Sequence, residues 1–158
     1  MPASVSEVDF EEVQEAWEQA LPSCATNTVY VSPWWQRTWW TGFGAGSELH
    51  LLEVQHDGAL IGVAPLRLRD GVLSFVGGQD LFDYNDFVVV RGQEIEFYPA
   101  VWARIKELQW QVLELRSVPY RSPTLRHVPT LATGDGLVVE SAEEDKAPVA
   151  ALPSTWDE

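Results

Sequence analysis

The stretch LHLLEVQHDGALIGVAPLRLRDGVLSFV, residues 49–76, decides the fold. It consists of three apolar runs separated by two Asp-Gly pairs, Asp57-Gly58 and Asp70-Gly71. An Asp-Gly pair readily adopts the positive φ angles that two-residue β-hairpin turns require, and the flanking runs are rich in strand-forming residues. The stretch therefore predicts a three-stranded antiparallel meander.

Helices and further strands are predicted on both sides of the meander. SVSEVDFEEVQEAWEQALP predicts a first helix, because Ser6 and Asp9 have capping-box spacing and apolar residues recur at helical period. SPWWQRTWWTGFGAG predicts a second, with Ser32 as N-cap and Pro33 at the first helical position. After the meander, DFVVV predicts a strand buried on both faces.

The remaining sequence alternates between the two kinds of element. EIEFYPAVWARIKELQ and SPTLRHVPTLA predict helices, whereas WQVLELRSV and GLVVESA predict strands. The whole order indicates an α/β (α+β) domain of three layers, in which a mixed, mainly antiparallel sheet carries helices on both faces.

Composition limits the classes of function. The chain has 158 residues, with 10 basic and 24 acidic side chains and a net charge of −14, so its field repels nucleic acid and anionic lipid. A single cysteine, Cys24, and an acidic N-terminus without a signal-peptide pattern indicate a reducing, cytoplasmic environment. No apolar run approaches the roughly 18 residues that a membrane span needs. We expect no nucleic-acid partner and no membrane span.

No motif predicts a catalytic residue or a metal ligand in this chain. His50, His56 and His127 lack the clustered spacing that zinc prefers. The sequence contains no G-x-S-x-G nucleophile elbow, no Walker loop and no EF-hand.

The polar stretch GGQDLFDYNDFVVV, residues 77–90, leaves two interpretations open. In the first, Asp83 and Asp86 accept hydrogen bonds from loop N–H groups and fix the start of the strand, because a buried carboxylate is costly unless it is hydrogen-bonded. In the second, Tyr84 and Asp86 line a cleft at the edge of the sheet.

The order of elements resembles the fold of the GNAT N-acetyltransferases. Four stretches resemble more closely the FemAB-like, CelD-type acetyltransferases of cellulose biosynthesis, whose chains carry two GNAT-like halves. These stretches are YVSPWWQRTWWTGFG, DGALIGVAPLRL, the segment from Gly77-Gly78 to DYNDF, and LELRSVPYRSPTL. The resemblance covers nearly the whole chain, as the N-terminal half of such proteins.

The C-terminal ALPSTWDE resembles the linker that leads into the second half of those proteins. Ser154 and Asp157 have capping-box spacing, and Trp156 begins an apolar face. We therefore expect a GNAT-like domain over residues 1–152, and the start of a linker helix to a missing second half over residues 153–158.

The resemblance also defines what this chain lacks. GNAT enzymes bind the pyrophosphate of acyl-CoA on a Q/R-x-x-G-x-G/A loop between the fourth strand and the next helix. That position reads VVVRGQEIEF, with one glycine, Gly92, and with Glu94 and Glu96 where an anion would meet the helix N-terminus. We expect acetyl-CoA or another acyl-CoA to bind in the second half.

The resemblance implies a role for the polar stretch as well, since the similar segment of the family lies near the groove between the two halves. Asp83, Tyr84 and Asp86 would bind the acceptor, an amine or hydroxyl of an envelope or polysaccharide precursor. The C-terminal half would be the partner of this domain. The alternative is a non-catalytic, degenerate GNAT domain that acts as a binding or interaction module.

Overall fold

The computed structural model describes residues 1–155 and contains a six-stranded sheet between two layers of helices. Its elements, in chain order, are β1 Ser4–Glu7, α1 Phe10–Ala20, α2 Pro33–Phe43, β2 Glu48–His56, β3 Ala59–Arg69, β4 Val72–Phe75, β5 Val88–Val89, α3 Glu94–Ile105, β6 Val112–Glu114 and α4 Thr124–Gly134.

The meander forms as the sequence predicts. β2, β3 and β4 pair antiparallel, and both Asp-Gly pairs turn the chain with positive φ angles, 50° and 78° at Asp57-Gly58 and 52° and 78° at Asp70-Gly71. The sheet order is β1-β2-β3-β4-β6, and only the β4–β6 pair is parallel in the part of the chain described. The predicted mixed, mainly antiparallel sheet is confirmed.

Helices cover both faces of this sheet, so the three-layer architecture is also confirmed. On one face, α1 and α2 pack over Leu51, Val63 and Val88. On the other face, α3 and α4 pack over a second cluster that includes Leu52 and Val89. Val88 and Val89 are each 1% exposed although they point to opposite faces, as expected for a strand buried on both sides.

β4 and β5 lie in line along the same edge of β3. Phe75 pairs with Leu66 and the N–H of Val76 donates to Pro65, whereas Val88 pairs with Val63. The partners of Val76 and Val88 on β3 are therefore only one residue apart, although residues 77–87 lie between Val76 and Val88 in the chain. These residues, called the 77–87 loop below, leave the sheet and return to the same line.

The N-terminal prediction was wrong in one respect, because Ser4–Glu7 forms β1 instead of belonging to the first helix. The capping box uses Asp9 and Glu12: the Glu12 N–H donates to Asp9, and the Asp9 N–H donates to Glu12. Two overlapping capping-box patterns occur here, and pairing of β1 with β2 selects the later one.

The predicted strand in GLVVESA is also wrong. Residues 137–155 form neither strand nor helix, and Val138 is 92% exposed. An apolar run becomes a strand only when a sheet edge pairs with it, and this run has no such partner in the described chain. Of the predicted linker helix, residues 153–155 are not helical, and residues 156–158 lie outside the described residues.

Candidate functional site

A cleft of about 370 Å³ opens beyond the carboxyl ends of β4 and β6. Sheets with parallel strands usually bind ligands at that end, and this volume falls within the usual range for small-molecule sites. The 77–87 loop forms one wall and the chain after β6 forms the other. The lining residues are Arg67, Ser74, Phe75, Gly77, Gly78, Gln79, Phe82, Asn85, Glu114, Arg116 and Ser117.

Phe82 anchors the 77–87 loop in an aromatic cluster supplied mainly by α2. Its ring centroid lies 6.0 Å from that of Tyr30 and 6.3 Å from those of Trp35 and Trp39. Edge-to-face packing of this kind stabilises ring pairs beyond their buried area. The tryptophan-rich helix α2 therefore packs against the loop and stabilises its position.

Gly77 and Asn85 close the loop on itself. Gly77 has φ 134°, and a Cβ there would lie 2.8 Å from Asn85 Nδ2, so both its backbone and its surroundings require glycine. Asn85 Nδ2 donates to the carbonyl of Val76 at 2.9 Å, and Asn85 Oδ1 accepts from the N–H of Asp86 at 3.0 Å. The loop is thereby fixed at both ends.

Ser117 joins the two walls of the cleft. Its carbonyl accepts a hydrogen bond from the Asn85 N–H at 2.9 Å. Ser117 also has φ 60°, the left-handed conformation that non-glycine residues seldom adopt. Such strained residues concentrate at functional sites.

Arg67 brings a half-buried positive charge to the cleft. Its guanidinium lies 5.1 Å from the Trp39 ring centroid, and it donates at 3.4 Å to Phe75 O and to Ser47 Oγ. Burial and the nearby Arg69 lower the pKa of Arg67, while Glu114 acts in the opposite direction. Within residues 1–155 the Arg67 guanidinium forms no ion pair, so it is available to bind an anionic group of a ligand.

Asp86 lies inside the domain and does not line the cleft. Its carboxylate is 1% exposed and accepts hydrogen bonds from Thr26 Oγ1 at 2.7 Å, Thr124 Oγ1 at 2.6 Å and the Phe87 N–H at 2.9 Å. Burial raises the pKa of Asp86, although the hydrogen bonds it accepts oppose this. The Tyr98 hydroxyl lies 2.8 Å from Thr124 Oγ1 and extends the network to α3.

The other two predicted site residues, Asp83 and Tyr84, belong to the same loop. Asp83 is exposed and accepts a hydrogen bond from the Tyr30 hydroxyl at 2.5 Å, which raises the pKa of Tyr30. Tyr84 is half-buried. Asp83, Tyr84 and Asp86 thus share a loop, but none of their side chains lines the cleft.

The cleft-lining side chains were not predicted from the sequence. Asn85 stands inside the polar stretch GGQDLFDYNDFVVV, and Gly77-Gly78 begins it. Arg116 and Ser117 stand within the predicted strand WQVLELRSV, whereas the observed strand β6 ends at Glu114. The carboxyl ends of parallel strands meet at one edge of a sheet, so knowledge of the strand order would have identified these cleft-lining residues.

A second, open groove lies between α1 and α2, lined by Glu11, Gln14, Glu15, Glu18 and Arg37. Arg37 is engaged there, since it pairs with Glu11 at 2.6 Å and donates to Gln14 at 3.3 Å. Within residues 1–155, no three His, Cys, Asp or Glu side chains are grouped to hold a metal ion. No helix in this part of the chain is long and apolar enough to cross a membrane.

The N-terminus of α3 is acidic. Gly92 turns the chain with φ 87°, Gln93 occupies the N-cap without a side-chain hydrogen bond, and Glu94 and Glu96 stand in the first turn. Carboxylates at this end interact favourably with the helix dipole and repel phosphate.

The fold is that of the GNAT acetyltransferases. A tandem GNAT protein from the clavulanic acid biosynthesis pathway, in a structure without acetyl-CoA, matches with TM-score 0.50 and 18% identity over 85% of this chain and 43% of its own. A glucosamine-6-phosphate N-acetyltransferase from Arabidopsis thaliana matches with TM-score 0.53 and 10% identity over 93% of this chain and 99% of its own.

This chain therefore spans 43% of the length of the tandem protein. No protein-family model matches the sequence, and no curated protein matches it. At these identities the structural likeness defines the fold.

Proposed function

We propose that this chain is the N-terminal, acceptor-side half of a GNAT-type acyltransferase, whose second half binds acyl-CoA and supplies the acyl group. The fold supports this proposal, and so does the length of the tandem GNAT neighbour, of which this chain spans less than half. Assignment to the FemAB-like, CelD-type branch rests on the four sequence stretches quoted above. The single cysteine favours a cytoplasmic location for the reaction.

The observation that carries the proposal is the acidic first turn of α3 in a chain that spans 43% of a tandem GNAT protein. An anion site at a helix N-terminus needs free backbone N–H groups and a favourable local charge. Gly92 is the only glycine in the segment VVVRGQEIEF that leads into α3, and Glu94 and Glu96 place two negative charges in the first turn of the helix. The chain has the GNAT architecture with an unsuitable pyrophosphate position, so the donor belongs to another domain.

The cleft is where the acceptor would lie. In acyl transfer an enzyme mainly positions the nucleophile and stabilises the charge that develops on the thioester oxygen. The cleft offers Asn85, Gln79 and Ser117 for polar contacts to an amine- or hydroxyl-bearing envelope or polysaccharide precursor. That Asp83 and Tyr84 also hold this acceptor stays a prediction. Asp86 would contribute by fixing the loop.

The edge of the sheet at β6 is the surface that the second half would cover. β6 is a short edge strand, and Val112 within it is 54% exposed. Tyr120, which follows it, is 80% exposed. Apolar side chains beside an unpaired strand edge are typical of contact surfaces.

The alternative function is a non-catalytic, degenerate GNAT domain that binds a ligand or a partner. For this chain taken alone, the acidic turn of α3 favours this alternative as much as it favours the acyltransferase. The reading frame downstream of Glu158 separates the two functions. A following domain with a Q/R-x-x-G-x-G/A loop, and transfer of labelled acetyl from acetyl-CoA to amino sugars by the whole protein, would support the acyltransferase. A stop codon at that point would refute it.

Both functions predict that this chain alone does not bind acetyl-CoA at micromolar concentration. Titration calorimetry should give no binding heat beyond dilution, because two carboxylates meet the pyrophosphate at α3. Micromolar binding, corresponding to about −8 kcal/mol, would show that the chain has a donor site of its own. Glu94→Gln with Glu96→Gln is the matched control, since any binding gained by this variant measures the contribution of charge alone.

A further inference from the structure

The carboxylate of Glu144 lies at the mouth of the cleft. Its Oε2 accepts a hydrogen bond from the Ser117 N–H at 2.6 Å. Its Oε1 accepts from Gln79 Nε2 at 3.3 Å and lies 3.6 Å from a guanidinium nitrogen of Arg116. All three partners line the cleft. The chain thus places one of its own carboxylates on the donors of its candidate site.

Within residues 1–155, Glu144 is held there by contacts of its own side chain. It belongs to the segment after α4, which forms neither strand nor helix between residues 137 and 155. Its neighbour Glu143 lies beside Lys146 at 3.5 Å, within the same segment. A carboxylate from a segment without regular structure is a ligand that the domain can release.

Glu144 neutralises the net positive charge of the cleft. Arg116 contacts Glu114 at 3.0 Å as well as Glu144, whereas Arg67 forms no ion pair in the described chain. Without Glu144, the charged groups lining the cleft are two arginines and Glu114, which leaves one net positive charge. That charge suits a group with a single negative charge, and the surrounding chain, at −14, is otherwise strongly acidic.

The donors are arranged for a carboxylate. Each oxygen of Glu144 has its own donor, one from the Ser117 backbone and one from Gln79, with a guanidinium beside them. Hydrogen bonds to ionised groups are the stronger kind, and guanidinium groups match the planar carboxylate.

We propose that the cleft binds a carboxylate-bearing small molecule, whose carboxylate replaces that of Glu144 on Ser117, Gln79 and Arg116. If the proposed function holds, this ligand is the acceptor, and the segment after α4 competes with it. The competition is intramolecular, so the tethered carboxylate has an effective concentration of the order of millimolar. In the wild type, a free carboxylate therefore binds measurably only above millimolar concentration. Once Glu144 is removed, it should bind more tightly.

The test uses the whole 158-residue chain, labelled with ¹⁵N, and follows the Ser117 amide signal. Glutarate is the probe, and glutaramide is its neutral counterpart of the same size. In Glu144→Ala, glutarate should shift the Ser117 amide to saturation, with a Kd at least about threefold lower than in the wild type. Glu143→Ala removes a neighbouring carboxylate that does not touch the cleft, and this variant should titrate like the wild type.

A further variant tests the arginine. Glu144→Ala with Arg116→Gln should bind glutarate about tenfold more weakly than Glu144→Ala, because the ion pair between the guanidinium and the carboxylate is lost. The proposal is overturned if Ser117 in Glu144→Ala does not respond up to about 100 mM glutarate, a Kd that would correspond to little more than −1 kcal/mol. It is also overturned if glutaramide produces the same shift.

This readout is independent of acyl transfer. Carboxylate binding by a protein that transfers no acetyl group would leave the inference standing and refute the proposed function. Acetyl transfer without carboxylate binding would support the proposed function and refute this inference.

Discussion

Asp86 shows how one buried carboxylate can organise a loop. It accepts three hydrogen bonds, from the segment before α2, from α4 and from its own loop. A carboxylate with so little exposed surface is tolerated only when donors surround it. Its role in the structure is to fix the position at which the 77–87 loop rejoins the sheet.

We expect Asp86→Ala to lower the free energy of unfolding by about 3 kcal/mol, because two hydroxyls and an N–H lose their acceptor in a buried place. Urea denaturation followed by tryptophan fluorescence measures this. Asp83→Ala is the control, since its side chain is exposed, and it should change stability by less than about 0.5 kcal/mol. Equal losses for the two variants would contradict a special role for the buried network.

The sequence could not identify this network, for a reason of distance along the chain. Thr26 and Thr124 stand 60 and 38 residues from Asp86, and no local pattern links them. The structural interpretation considered from the sequence invoked loop N–H groups alone, whereas two of the three hydrogen bonds to the Asp86 side chain come from threonine hydroxyls.

At the scale of elements, β3 organises the sheet. It pairs with β2 along one edge, and with β4 and β5 in succession along the other. β5 is protected on its far side, where Ala25 donates to Val89 at 2.9 Å and Arg91 donates to Ser23 at 3.0 Å. A strand of two residues is therefore held between two partners.

Gly62 allows β5 to approach β3 under α3. A Cβ at Gly62 would lie 2.4 Å from the Val88 carbonyl oxygen and 2.5 Å from the Phe97 ring. We expect Gly62→Ala to destabilise the protein by about 1–3 kcal/mol through overpacking. Thermal unfolding of the variant against wild type measures the loss.

Gly42 provides the matched control for Gly62. It lies within α2, and nothing is found within 4 Å of a Cβ placed on it. Gly42→Ala should stabilise the protein by about 0.4–1 kcal/mol, since alanine loses less backbone entropy on folding. If Gly62→Ala were also neutral, the close packing of β3, β5 and α3 would be wrong.

Elements with strong local signals were predicted well. The two Asp-Gly turns and the Ser32-Pro33 helix start each specify their structure within a few residues. β1 was missed, since Ser4–Glu7 becomes a strand only by pairing with β2, some 45 residues later along the chain. For the same reason, the cleft was not predicted. Asn85 and Ser117 come into contact only because β4 and β6 pair in the sheet.

At the scale of the whole molecule, net charge is the dominant electrostatic feature. A charge of −14 on one domain opposes the compact state through self-repulsion. Some favourable pairs offset it locally, such as Arg104 with Glu7 at 2.8 Å.

We expect added salt to stabilise the protein near neutral pH. Raising NaCl from about 10 mM to about 500 mM shortens the screening length from about 30 Å to a few Å. Tm should rise by about 2–4 °C in scanning calorimetry. At pH 4.4, the calculated isoelectric point, the same addition should have little effect. A fall in Tm at neutral pH would mean that local ion pairs outweigh the overall repulsion.

The in-line arrangement of β4 and β5 has a consequence for how such domains can diversify. The 77–87 loop starts and ends against positions of β3 that a single residue separates, so its length can change without moving any strand of the sheet. Its tip, residues 78–81, could be exchanged for another sequence, provided that Gly77, Phe82, Asn85 and Asp86 are kept. Ligand preference could then change from one protein to another while the core stays the same.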